Sequence, residues 1–308
     1  MKTLIIGAGA IGGYFGGRLL EAGRDVTFLV RPGRADRLAE TGLVVQSAHG
    51  NMQIAQPPIV QANALHEVFD LILLSCKSYD LDDAIDSFAA AVGPATVIMP
   101  LLNGMSHLDV LERRFGAQSV FGGLCMISTT MDAAGRIIHL NDLHGLTFGE
   151  RDGTLSARAQ MIAAEFTGAH FDAHCSETIL QDMWEKWMFI AAAAGITCLM
   201  RASIGDIIQA GGGDLAVRLL DECAAIAGAQ GFAPRPAAYE RCLAVVKAKG
   251  SPMTASMLRD IETHGRTEYE HVLGELMRRS AMPAAEDSVL RTAYTHLAAY
   301  EARRSRML

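Results

Sequence analysis

From Thr3 to Gly17 the chain reads TLIIGAGAIGGYFGG. A short apolar run rich in β-branched residues predicts a buried strand. Directly behind it, Gly7, Gly9 and Gly12 form G-x-G-x-x-G at the start of a helix predicted over Ile11 to Ala22. Strand, glycine loop and helix in that order are the setting in which this pattern carries meaning. The first glycine permits a tight turn, the second lets a pyrophosphate approach the backbone, and the third lets helix and strand pack closely. The helix N-terminus adds free N–H groups and a partial positive charge. Gly7, Gly9, Ala10, Ile11 and Gly12 therefore read as a dinucleotide cradle, and Gly13, Gly16 and Gly17 as a small-residue packing face.

The segments that follow extend this unit. TLIIG (3–7), DVTFLV (25–30), DLILLSC (70–76) and ATVIMPL (95–101) alternate with helical stretches, including one around 80–91. Buried strands alternating with helices predict a parallel sheet covered on both faces. Short alternating pieces around SAHGN, between Gly42 and Val60, predict a hairpin or meander. RIIHLND followed by HGLTFGE predicts a second hairpin. From about Glu177 onward only helical periodicity remains, interrupted at AGGGD, GFAPRP and KGSP, and EARRSRML reads as a frayed end. At 308 residues the chain exceeds the usual size of a single core. The expected architecture is α/β: a doubly wound sheet over residues 1–172, then an all-helical domain over 173–308.

Composition narrows the class of partner. The net charge of −7, with RRSR as the only basic cluster, carries no electrostatic footprint for nucleic acid and points to a small ligand. The apolar run Trp187–Met200 falls short of the roughly 20 residues a membrane-spanning helix needs. Cys76, Cys125, Cys175, Cys198, Cys223 and Cys242 form no C-x-x-C pair, and no signal peptide is evident, so reduced thiols and a cytoplasmic location are expected. His170 and His174 stand four apart in a strand-like segment, where that spacing does not converge two imidazoles, so no metal is expected.

Polar residues at strand ends carry information, because ligands in open α/β sheets bind beyond the carboxyl ends of the strands. The second strand runs into Val30 and Arg31, with Arg34 and Arg37 near by, where NAD-preferring chains usually place Asp or Glu. Arg31 is suited to the 2′-phosphate, so NADP(H) is the expected cofactor. Lys77 and Asn103 end two further strands. In the helical half, Lys186 has Met183, Phe189, Ile190 and Ala193 as its helical neighbours, so its ammonium is either snorkelling or functional. Glu268 shares a face with Val272 and Leu276, behind a capping box expected from Thr267 and Glu270. It is either an inward-facing acid or a first-turn complement to the helix dipole. Ser256 marks a loop-to-helix junction, as an N-cap or as a binding hydroxyl.

IIGAGAIGGYFG, LLSCKSYDLDDAI, LLNGM, WEKWMFIAAAAG and SMLRDIETHGRTEYE, in this order and spacing, resemble the ketopantoate reductase family (2-dehydropantoate 2-reductases) across nearly the whole chain. The resemblance implies a Rossmann domain, a helical domain, and NADPH-dependent reduction of a 2-oxo acid between them. It implies Lys186 as general acid, Glu268 as the acid that orients it or the substrate, and Ser256 as a substrate-binding hydroxyl. It also implies Lys77 and Asn103 as the pair near the nicotinamide ribose and substrate, with domain closure bringing the groups together. The chain departs from the family's pattern at Ile190 and Ala194, where pantoate-forming enzymes typically carry asparagine. That loss of polar groups bears on a substrate with a hydroxyl. A β-hydroxyacid or opine-type dehydrogenase and a non-catalytic NADP-binding protein are the alternatives. The apolar helical half also permits a homodimer.

Overall fold

The computed structural model describes residues 1–280 and 287–307. Its contacts group the chain into two units, Met1–Leu102 with His107–Leu180, and Asn103–Ser106 with Gln181–Leu308. In chain order the strands are β1 (Thr3–Ile6), β2 (Val26–Leu29), β3 (Leu43–Gln46), β4 (Met52–Ile54), β5 (Ile59–Val60), β6 (Phe69–Leu74), β7 (Val92–Pro100), β8 (Gly122–Met131), β9 (Ile137–Gly149) and β10 (Asp172–Cys175). The helices are α1 (Ala10–Glu21), α2 (Pro32–Thr41), α3 (Leu81–Phe88), α4 (Ser106–Phe115), α5 (Ala157–Phe166), α6 (Ile179–Met200), α7 (Ile204–Gln209), α8 (Gly213–Ala229), α9 (Pro236–Val246), α10 (Ser256–Glu262), α11 (Glu275–Arg278) and α12 (Val289–Ser305).

The first sheet has the order β5-β2-β1-β6-β7 and all its pairings are parallel. β1 is buried along its length and lies at the centre, with Ile6 opposite Leu29 on one side and Leu74 on the other. Strand order reverses between β1 and β6, and that switch point opens a crevice at their carboxyl ends. Gly7 follows one of those ends and Lys77 the other.

A second sheet, β10-β9-β3-β4 with β8 paired to β9, was not legible as a sheet. The predicted hairpin between Gly42 and Val60 forms as β3 and β4, but β5 joins the first sheet instead. RIIHLND and HGLTFGE do not form a hairpin with each other: they are one strand, β9, whose antiparallel partner is β8. A register shift between Ile127 and Thr129 absorbs the irregularity that suggested a turn. β10 pairs parallel to β9, so residues 172–175 belong with the first unit.

α1 lies between the two sheets, and its glycines show how. A Cβ on Gly12 would stand 2.2 Å from the Gly7 carbonyl oxygen and 2.3 Å from Ser75 Oγ, and one on Gly16 would stand 2.6 Å from the Phe28 ring. One turn-face of the helix thus touches the first sheet. On the next face, a Cβ on Gly13 would meet Ile137 at 2.4 Å and one on Gly17 would meet Met52 Cε at 2.2 Å, both side chains of the second sheet.

The second unit is helical and centres on α6, with Ala191–Cys198 fully buried. Gly195 admits close neighbours: a Cβ there would lie 2.8 Å from Leu219 of α8 and 3.5 Å from Ala293 of α12. Among the described residues no helix is long and apolar enough to cross a membrane. The expected frayed end is instead the last turns of α12, which run to Ser305 and are held by Glu301. Its carboxylate accepts from the Thr267 amide at 2.6 Å and the Thr267 hydroxyl at 2.7 Å.

Two alanine substitutions separate rigid from yielding neighbours of α1. Gly16→Ala drives a methyl into the Phe28 ring and Ile5 and should destabilise the protein by about 1–3 kcal/mol in urea unfolding. Gly17→Ala meets the flexible end of Met52 and gains about 1 kcal/mol of helix propensity, so it should be close to neutral in the same measurement.

Candidate active site

The glycine loop presents open backbone where a phosphate would approach. Gly7 has φ +90°, a conformation that disfavours any side chain, and neither Gly7 nor Gly9 would place a Cβ within 4 Å of another atom. Gly9 is the N-cap of α1 and supplies no side-chain cap. The helix's first amides therefore face the loop unmasked. Gly12 performs the opposite task, closing the helix onto β1 and the Ser75 hydroxyl, which donates to the Ile6 carbonyl at 3.0 Å. Ala10 and Ile11 begin α1 directly beyond the loop.

Two arginines lie beyond β2. Arg31 is the N-cap of α2, is largely exposed, and pairs with Asp80 at 3.4 Å and Asp83 at 3.9 Å. Arg34 was the less prominent candidate in the sequence, yet it is the one tied to the glycine loop. Its Nε donates to the Ala8 carbonyl at 2.9 Å and its Nη1 to the Gly135 carbonyl at 3.1 Å. Its Nη2 is buried with no hydrogen-bond partner among the described residues. Burial and the neighbouring Arg37 lower its pKa, but a guanidinium stays charged at neutral pH. A buried, unpaired cationic nitrogen beside an open phosphate cradle fits an anionic dinucleotide.

The remaining candidates divide between the two units. Lys77 follows β6, is half-buried, and is the N-cap of a short 3-10 turn at Ser78–Asp80. Asn103 follows β7, and its contacts group it with the helical unit. Next to it, Gly104 adopts φ +80°, and a Cβ there would stand 3.1 Å from the His271 ring.

Lys186 is half-buried on α6, flanked by the buried residues Glu185 and Trp187. Among the described residues its ammonium makes no hydrogen bond or ion pair. Both neighbours are anchored. Glu185 Oε1 accepts from the Arg235 amide at 2.9 Å and from its Nε at 2.7 Å, and Asp182 also receives this guanidinium. Burial pushes the Glu185 carboxyl up, but these Arg235 hydrogen bonds outweigh it and hold the group below its usual range. On the other side, buried Trp187 Nε1 donates to the Val272 carbonyl at 2.9 Å. Val272 lies in a π-helical turn, Glu270–Gly274. Such turns free a backbone carbonyl and recur at functional sites.

Glu268 stands just before that turn, half-buried, with its carbonyl accepting from the Val272 amide at 2.9 Å. The expected capping box is not formed. Thr267 binds Glu301, and Glu270 turns outward to Arg278 and to the Tyr294 hydroxyl at 2.9 Å. A long-range carboxylate replaces the local one because Glu301 reaches both Thr267 donors at once. Ser256 opens α10 at its first position and is exposed, while Ala255 is the N-cap, so the hydroxyl does not cap the helix.

Comparison with known proteins decides the family. The profile described as Ketopantoate reductase PanE/ApbA matches residues 3–153, and the corresponding C-terminal profile matches residues 178–301. The chain belongs to the ketopantoate reductase family. It is an oxidoreductase of the type that acts on a CH–OH group with a nicotinamide cofactor. It is 37% identical to an uncharacterized oxidoreductase of Bacillus subtilis, over 98% of this chain and 99% of that protein. It is 27% identical to the 2-dehydropantoate 2-reductase of Archaeoglobus fulgidus, over 94% and 95% of the two chains. The crystal structure of 2-dehydropantoate 2-reductase from Methylococcus capsulatus superposes with a TM-score of 0.86 at 27% identity, covering 99% of this chain and 98% of that one. The Rossmann-type sheet and helical C-terminal half expected from the sequence are those of this family.

Gly9 tests the cradle without disturbing the fold. Because a Cβ there meets nothing and φ is −84°, Gly9→Ala should leave the melting temperature unchanged. It should weaken cofactor binding by roughly tenfold or more in a fluorescence titration, since the methyl occupies the approach of the pyrophosphate.

Proposed function

We propose that the chain reduces a 2-oxo acid to the corresponding 2-hydroxy acid with NADPH, with 2-dehydropantoate or a close analogue as substrate and Lys186 as general acid. The observation that carries this reading is Lys186 itself. It is a cation on a largely buried helix, held between two anchored neighbours and engaged by no protein partner among the described residues. Such an ammonium is available to a substrate oxygen.

The glycine loop would hold the pyrophosphate of a dinucleotide, whose nicotinamide would supply the hydride, while the protein supplies position, charge and a proton. Lys186 Nζ donates that proton to the alkoxide oxygen as it develops on the former carbonyl. Glu268 is the acid that orients the lysine or the substrate. Ser256 offers a hydroxyl to the substrate, and Lys77 and Asn103 contribute from the strand ends near the nicotinamide ribose. Arg31 and Arg34 supply positive charge beyond β2, which supports the 2′-phosphate of NADP(H) over the bare hydroxyl of NAD.

One and two turns beyond Lys186, α6 carries Ile190, half-buried, and Ala194, 1% exposed. Neither hydrogen-bonds a substrate hydroxyl. The face therefore suits an acid whose far end is apolar at least as well as ketopantoate.

Lys186→Ala should lower kcat by about 10²–10⁴-fold while NADPH still binds, as read by absorbance assay and cofactor fluorescence. Unchanged turnover would refute the general-acid assignment. In the same assay, 2-oxoisovalerate and ketopantoate should be turned over with kcat/KM values within about tenfold of each other. Strong preference for ketopantoate would mean that other groups compensate for Ile190 and Ala194. Arg31→Ala should raise the Kd for NADPH roughly tenfold and leave that for NADH unchanged.

A further inference from the structure

His271, to which no sequence motif gives a role, borders both the Asn103 loop and Glu268. It lies three positions beyond Glu268, inside the π-helical turn whose Val272 carbonyl is held by Trp187. Its Nδ1 is 2.9 Å from Ser106 Oγ. Its ring lies against Gly104, whose Cβ position would be 3.1 Å from both Cδ2 and Nε2. The positive φ of Gly104 and the missing side chain let the ring approach that closely. Gly104 and Ser106 both lie in the short segment that begins with Asn103, and this segment groups with the helical unit.

Burial pushes the His271 imidazole below its ordinary range, against the Glu268 and Glu275 carboxylates and the Asn103 backbone, which favour its charged form, while Arg278 opposes it. A neutral ring presents one donor and one acceptor, so the hydrogen bond to Ser106 is a directed contact whichever tautomer is present. Glu268, just before the turn, and His271, within it, thus stand three residues apart on one short segment.

We propose that His271 is a positioning residue of this enzyme: through Ser106 Oγ and the face of Gly104 it holds the Asn103 loop in register with Glu268. The proposal rests on the assignment of Asn103 and Glu268 to the reduction site. It gives the π-helical turn a function, because the turn carries His271 toward the loop while Val272 stays tied to the Lys186 helix.

The test is steady-state kinetics with NADPH and ketopantoate or 2-oxoisovalerate on His271→Leu, His271→Asn, Ser106→Ala and the His271→Leu/Ser106→Ala double variant. Misplacing a substrate-positioning group by a fraction of an ångström costs rate, so His271→Leu and Ser106→Ala should each lower kcat/KM roughly tenfold, mainly through kcat. The double variant should be no worse than the poorer single one, since both break the same link. His271→Asn, which restores a polar atom near the place of Nδ1, should recover most of the loss. Ser106→Ala removes only a hydroxyl, so it keeps the test alive if His271→Leu does not fold. If Ser106→Ala and a folded His271→Leu stay within about twofold of wild type while Asn103→Ala loses at least tenfold, the positioning role is overturned and the site assignment stands. If Asn103→Ala and Lys186→Ala are also silent, both fall.

Discussion

The rest of the first unit depends on the contact between α1 and β1. With a Cβ at Gly12 excluded by the Gly7 carbonyl and Ser75 Oγ at 2.2 and 2.3 Å, the helix starts almost on top of the strand it follows. That distance brings the first amides of α1 to the open loop at Gly7 and Gly9, the arrangement the proposed phosphate cradle needs. The same narrow helix lets a second sheet close over its other side, through Gly13 and Gly17. A helix with ordinary side chains would hold both sheets farther off and leave the loop without its amides.

The helical unit solves a different problem, holding isolated polar groups on apolar elements. Lys186 lies on a helix packed nearly all round, and its position is set by what its neighbours hold: Glu185 takes Arg235 and Trp187 takes the Val272 carbonyl. Glu268 is set similarly from both sides, by the Thr267–Glu301 hydrogen bonds before it and the Trp187-bound turn after it. Each anchor spans a long stretch of sequence. The geometry of this candidate site is therefore a property of packing between helices, and the individual helices do not contain it.

How much was legible follows from the range of the interactions. The glycine motif, the parallel sheet and the change to helices near Glu177 rest on local pattern and were read directly. The capping box at Thr267 and Glu270 is also a local pattern, but Glu301 offered both Thr267 donors a better partner from a distant helix. β9 looked like two strands because Asn141 and Asp142 interrupt its apolar pattern. Pairing with β8 on either side of them, up to His139 and again from His144, keeps it one strand, and Asn141 Oδ1 accepts from the Ser128 amide at 2.9 Å. Arg34 and His271 had no spacing rule to mark them, since their partners are a backbone carbonyl in the glycine loop and a serine at the other end of the chain's second unit.

By itself the sequence determined the class of chemistry: a strand–glycine loop–helix unit, a lysine on one helix and a glutamate just ahead of another, and the order of motifs that places the chain in its family. These are set by steric and periodic constraints acting within about twenty residues, which a linear reading can follow. Only the tertiary structure decided which arginine attends the loop, which helix the Asn103 loop joins, and what holds Lys186 and Glu268 in place. Those outcomes are competitions among distant donors and acceptors for the same buried partner, and they are settled by packing, which has no local signature.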